Sequence, residues 1–186
     1  MKKSLLTIAA VVMMAFAVNT NAQQMAVGVQ AGIAVPMGTP FSDMVDMGFG
    51  GLGTFLYTIN PQIQVTGAVG YLTFGYKEVE GTNIDGSFSI IPIVVGGRYL
   101  IGQGTTKPYV MAELGMYMGS SGDITVSSGN FSMTIPGEST SDFGIAPGVG
   151  VLIPAGEKLN IDINAKYNVI SDSNFLSVLA GVQVAL

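Results

Sequence analysis

The stretch "LNIDINAKYNVI", residues 159–170, alternates without a break: Leu159, Ile161, Ile163, Ala165, Tyr167 and Val169 take turns with Asn160, Asp162, Asn164, Lys166 and Asn168. Successive side chains of a strand point to opposite faces, so this segment reads as a strand with one oily face and one polar face. The oily face belongs either to the core of a soluble sheet or to a surface in contact with lipid. The rest of the chain decides which.

Two compositional anomalies need one explanation. Hydrophobic residues make up 48% of the 186 residues and charged ones only 10%, against roughly 25% charged in a soluble globular domain. Glycine is also high, at 26, with neither a collagen-like period nor a low-complexity run. In 25–36, Val27, Val29, Ala31, Ile33 and Val35 oppose Ala26, Gly28, Gln30, Gly32 and Ala34, and in 141–153 Phe143, Ile145, Val149 and Val151 oppose Gly144, Ala146, Gly148 and Gly150. A soluble sheet would carry Lys, Glu or Thr on its wet face, because glycine there weakens the strand with no packing return. Small residues suit the crowded interior of a narrow barrel. The oily face is therefore read as outward, towards lipid, and the small or polar face as the lumen.

Eight segments of about ten residues fit between turn signals, at 25–36, 48–59, 62–74, 87–101, 108–119, 141–153, 158–170 and 175–186. That is the length of a tilted transmembrane strand, ~9–11 residues. Connections alternate between short ("NPQ" near 60, "GQGTTK" near 102, "PAGEK" near 154) and long, the layout of a barrel with tight inner turns and long outer loops. The fold expected is all-β, an eight-stranded antiparallel up-and-down transmembrane β-barrel. Pro92 and Pro147 fall inside strands, where a proline removes a ladder hydrogen bond, so each predicts a bulge or local break.

The leading segment "MKKSLLTIAAVVMMAFAVNTNAQQ" has two lysines, an apolar run from Leu5 to Val18 and a small-residue site ending at Ala22. It reads as a signal peptide, residues 1–22, followed by a barrel domain over 23–186. That fourteen-residue run falls short of the ~20 a helix needs to cross a bilayer. Without Lys2 and Lys3 the chain carries five basic residues against 12 acidic, a formal charge of −7, which argues against nucleic acid as a partner.

With these segments placed, "FSIIPIVVGGRYLIGQGTTKPYVMAELGMYMG" (88–119) resembles the outer-membrane β-barrel domain family of small porin-like proteins, through Ile91-Pro92 and Lys107-Pro108-Tyr109-Val110. "VTGAVGY" (65–71) and "NIDINAKYNVI" (160–170) are similar to its third and seventh strands. The resemblance covers essentially the whole mature chain and implies a barrel of the OmpA-barrel or OmpX type in the outer membrane of a Gram-negative-type cell. It also implies lipid, lipopolysaccharide and the outer-membrane assembly machinery as partners. Two departures stand out: the chain stops at the last strand with no peptidoglycan-binding domain, and it ends in Leu186 where many such barrels have phenylalanine.

Histidine and cysteine are both absent, which removes Ser-His-Asp and Cys-His nucleophilic sites and nearly all ordinary zinc sites. Asp142 and Asp162 could be imagined as a catalytic carboxylate pair, but a lone acidic pair in a strand protein is far more often structural, and the expectation is a non-enzymatic protein with no cofactor and no metal. "GFGGLG" (48–53) matches G-x-G-x-x-G but lacks the following helix that would hold a pyrophosphate. By parity, Arg98, Glu113, Asp162 and Lys166 face the lumen, near Gln30, Asn160, Asn164 and Gln183. Charges in a dry barrel must be paired, so these four are expected to form an ion-pair network that plugs it.

The outer loops are expected to hold Asp43, Asp46, Glu78, Glu80, Asp85, Asp123, Glu138, Asp142 and Asp172 against Lys77, an acidic rim able to bind divalent cations that bridge to lipopolysaccharide. The fifth connection contains two alternating runs, Ile124 to Val126 and Phe131 to Ile135, around Ser-Ser-Gly-Asn. They predict a hairpin prolonging strands five and six above the membrane. Ile124, Val126, Phe131, Met133 and Ile135 then mark a surface for a protein partner, by strand addition at its edge. The function expected is a monomeric barrel serving envelope structure or surface adhesion. Its alternatives are a narrow porin-like channel and a soluble lipocalin-like carrier in the periplasm.

Overall fold

The computed structural model describes residues 25–77, 83–102, 104–122, 124–128, 131–171 and 173–186. Residues 1–22 of the expected signal peptide lie outside this range, as do Glu78, Glu80, Asp123 and Asp172 and the side chain of Asp85. Eight long strands close on themselves: β1 (Met25–Pro36), β2 (Gly48–Asn60), β3 (Ile63–Gly75), β5 (Ser87–Leu100), β6 (Lys107–Ser121), β9 (Ser139–Pro154), β10 (Leu159–Ile170) and β11 (Phe175–Ala185). Their order round the wall is β1-β11-β10-β9-β6-β5-β3-β2, every pair antiparallel, with β1 zipped to β11 from Ala26↔Ala185 to Pro36↔Phe175.

Local chemistry sets the short turns. At the β2–β3 turn the Asn60 side-chain oxygen accepts from the backbone N–H of Gln62 and of Ile63, both at 2.9 Å, an Asx-type turn that Pro61 presets. At the other end, the first, third and fifth connections are longer and build structure of their own. Strands β4 (Asn83–Asp85), β7 (Ile124–Ser128) and β8 (Phe131–Ile135) form a separate three-stranded sheet with β7 in the middle. The predicted hairpin is thus present but does not simply prolong β6 and β9: β4 takes one edge of β7.

Both prolines act as expected of a residue without an N–H. Pro92 pairs normally with Tyr117 on β6, but the β3–β5 ladder skips from Val69↔Ile93 to Leu72↔Ile90. Pro147 pairs with Ala112 on β6, while the β9–β10 ladder skips from Lys166↔Gly148 to Val169↔Ile145. Each break is local and leaves the register on either side unchanged.

Alternation divides the wall as predicted. Val29 is 63% exposed while its neighbour Gln30 is 5% exposed, and Ile93, Val95, Leu114, Ile145, Val149 and Ile163 all lie on the outside. Aromatic residues gather towards the two ends of this band: Tyr57 and Tyr99 near the short turns, and Phe49, Tyr71, Phe143 and Tyr167 towards the loops. An apolar belt between aromatic girdles is what a bilayer asks of a barrel. It is also the reverse of a soluble carrier's polar exterior.

The interior departs from expectation in one respect: its outer half is filled by large apolar side chains rather than small or polar ones. Leu52, Leu72, Phe74, Ile90, Val94, Tyr117, Ile170, Phe175 and Leu179 form a continuous buried cluster there. Strands β2, β3 and β5 carry apolar residues on both faces, and alternation cannot say which set is inward when both are oily.

Candidate functional site

The lumen divides into layers, and its polar layer centres on Asp162 of β10. Asp162 is fully buried. The Arg98 Nη1 lies 3.0 Å from its Oδ2, Gln30 donates to Oδ2 at 2.6 Å, Tyr109 donates its hydroxyl to Oδ1 at 2.6 Å, and Gln183 donates to Oδ2 as well. The Arg98 guanidinium carbon also sits 4.7 Å from the centre of the Tyr109 ring, close enough for a cation–π contribution. Five strands, β1, β5, β6, β10 and β11, therefore converge on one carboxylate. A buried carboxylate is tolerable only when its charge is matched and its lone pairs are filled, and here both conditions hold.

A second pair lies beside it. Lys166 of β10 donates to Glu113 Oε2 at 2.9 Å, and the Thr66 hydroxyl reaches Glu113 Oε1 at 3.4 Å. The four charges read from the sequence are thus brought together as two pairs, Arg98–Asp162 and Lys166–Glu113. Among the described residues no ion pair links the two. Further out, Tyr117 donates to Asn168 Oδ1 at 3.1 Å and Asn168 donates to the Ser177 hydroxyl at 3.0 Å.

Glycines of the inward face make the room these side chains occupy. A Cβ placed on Gly148 would stand 2.9 Å from Lys166 Cγ, and one on Gly96 would stand 2.8 Å from Glu113 Cγ. One on Gly150 would run into the Tyr109 phenol. The small face seen in the sequence is the space through which the long polar groups lie.

Apolar clusters flank this layer on both sides. Towards the short turns, Leu100, Tyr109, Met111 and Leu152 form a second buried cluster. Towards the loops, the first connection folds back through a four-residue helix, α1 (Phe41–Met44), so that Phe41 and Val45 enter the mouth. Phe41 meets Phe74 edge-on with ring centres 5.4 Å apart and Phe88 at 5.7 Å, and Phe74 meets Phe175 at 5.8 Å, geometries that favour aromatic contact. Backbone bonds fix the connection: Met37 N–H to Asn174 O at 2.8 Å, Asp46 N–H to Gly75 O at 2.8 Å and Lys77 N–H to Met44 O at 3.0 Å.

Tyr109 and Phe41 are the residues sequence reading missed. Tyr109 shares the inward face of its strand with Glu113, yet nothing in a single strand shows that it reaches Asp162 on β10. Phe41 sits in a helix of one turn, too short for periodicity to show. The carboxylates Asp142 and Asp162 do not form a pair: Asp162 stands opposite Leu152, ten residues along β9 from Asp142, about 33 Å of strand. Asp142 also lies within β9, opposite Tyr117, rather than in an outer loop. The side chains of Ile124, Val126, Phe131, Met133 and Ile135 lie outside the described part, although their backbone forms β7 and β8.

A closed antiparallel barrel, apolar outside and with buried charge pairs inside, defines a membrane-spanning β-barrel protein. The chain belongs to the outer membrane protein beta-barrel domain family, which it matches over residues 4–184, and it is accordingly a protein of the outer membrane. Solved barrels share its fold. The Neisserial surface protein A is similar at 19% identity and TM-score 0.57, over 87% of this chain and 97% of that one. Ail, the attachment invasion locus protein of Yersinia pestis, is similar at 20% and 0.54, over 87% and 95%. The outer membrane protein OprG of Pseudomonas aeruginosa is similar at 13% and 0.55, over 88% and 98%. Among curated proteins no relative matches.

Proposed function

We propose that this barrel is a monomeric, non-enzymatic envelope and surface-contact protein whose lumen is closed, exported by a signal peptide that is cut after Ala22. The observation that carries the reading is the stacking of the interior: the Phe41-capped apolar cluster, the two ion pairs and the Leu100–Tyr109–Met111–Leu152 cluster follow one another along the axis. A solute crossing the lumen would have to displace each in turn. Both lumen carboxylates are engaged by donors, which leaves neither as a free base. The outer sheet of β4, β7 and β8 then offers the surface for contact with a protein partner on another cell or in the medium. Lipid, lipopolysaccharide and the assembly machinery are the partners the barrel itself needs.

A narrow pore is the second reading, favoured by Thr54 Oγ1 and Gln64 Oε1, which are buried without a hydrogen-bond partner and are groups that lumen water would satisfy. Reconstitution of the purified barrel into a planar bilayer separates the two. The closed reading expects no discrete conductance steps, and regular steps would establish the pore. For surface contact, cells expressing a barrel lacking residues 122–138 should lose attachment that cells expressing the full barrel show; equal attachment would sink that role.

A further inference from the structure

The outer mouth holds a cavity of about 340 Å³, within the usual size of small-molecule sites. One side is apolar, made by Phe41 and Val45 of the folded-back connection and by Phe88 of β5. Glu138, just before β9, and Thr140 near its start line it as well. Alternation places Asp142 next on the same face, and it lines a smaller void that shares Phe88, Thr140 and Ser173 with the cavity. Tyr76 and Ser121 add hydroxyls. Burial pushes the Tyr76 phenol above its ordinary range, with the Ser121 hydrogen bond pulling the other way, so Tyr76 stays neutral and contributes no charge. The base of this region, Lys77, is drawn off to the Ser42 carbonyl at 2.7 Å. The cavity therefore presents aromatic rings together with one acidic residue, Glu138, and Asp142 lies against the adjoining void.

We propose that this cavity binds a small organic cation with an apolar body, taken from the medium outside the cell. Rings attract a cation over their faces, and they accept its apolar part as well. Glu138 and Asp142 supply the opposite charge, a pairing that excludes anions of the same size. Phe74 and Phe175 lie beneath Phe41, so a ligand seated here is held at the mouth. The site does not depend on whether the deeper lumen conducts.

The test uses the full barrel in nanodiscs of zwitterionic lipid, titrated by calorimetry with benzyltriethylammonium and, in parallel, with benzenesulfonate. Saturable binding of the cation at one per barrel is expected, with no binding of the anion. The double variant Glu138→Gln/Asp142→Asn should weaken the cation about fivefold or more, and Phe88→Leu should do so by a similar factor. Every variant is first shown to keep the unboiled gel mobility of a folded barrel. Absence of saturable binding to the unaltered barrel, equal binding of the sulfonate, or unchanged affinity in the carboxylate variant would overturn the proposal. Conductance steps alongside carboxylate-dependent binding would remove the closed-lumen reading and leave this one standing.

Discussion

Arg98 and Asp162 meet across the lumen: their charged atoms are 3.0 Å apart, although β6 and β9 stand between β5 and β10 in the wall. The contact is a strut across the barrel's interior, and its loss should be felt by strands that do not touch one another.

Asp162→Ala is expected to cost about 3–5 kcal/mol, because it strands the Arg98 charge in a dry interior and removes the acceptor of Gln30, Tyr109 and Gln183. Arg98→Ala should cost less, since three donors remain on Asp162. Urea midpoints of the folded, unboiled band measure both. Equal midpoints for both variants and the unaltered barrel would mean that the strut carries no stability.

Gly148→Ala should destabilise by about 1–3 kcal/mol through overpacking, because its new methyl would press on the Lys166 stem and on the Ala165 carbonyl at 2.6 Å. Gly67→Ala is the contrast: nothing lies within 4 Å of the added carbon, and relief of glycine's entropic cost should leave the barrel unchanged or up to about 1 kcal/mol more stable. The same urea titration compares them.

Val95→Arg places a charge at the middle of the apolar belt, where Val95 is 59% exposed. An expected cost of about 2–4 kcal/mol should lower the fraction that inserts into vesicles. Thr105→Arg, on an exposed short turn, should insert like the unaltered chain.

Phe74→Ala/Phe175→Ala removes two fully buried rings from the outer apolar cluster. Each truncation should cost about 3–5 kcal/mol where the space stays empty. In a planar bilayer the double variant should be leakier than the unaltered barrel. Silence in both would place the main barrier deeper, at the charged layer.

Much of this was open to sequence reading because a strand's period is short and strict. Arg98 could be placed inside from the cost of lipid exposure alone, and the eight strand boundaries follow from turn residues such as Asn60-Pro61. What escaped depends on contacts between distant segments. Leu72 and Val69 are equally oily, so only closure of the wall tells which is inside. Phe41 enters the mouth because its connection is tied to Asn174 and Gly75, neither of which is near it in the chain. The three-residue β4 has no pattern of its own and exists only as a partner of β7.

The pairing of β1 with β11 carries a further consequence, one of timing. Ala26 and Ala185 come from opposite ends of the barrel sequence, so the closing contact is among the most non-local in the molecule, a slow kind to form. Until it does, both strands are open edges flanked by an apolar face, the condition in which chains aggregate. The rate at which the barrel closes should therefore be governed by how long those two edges take to find each other.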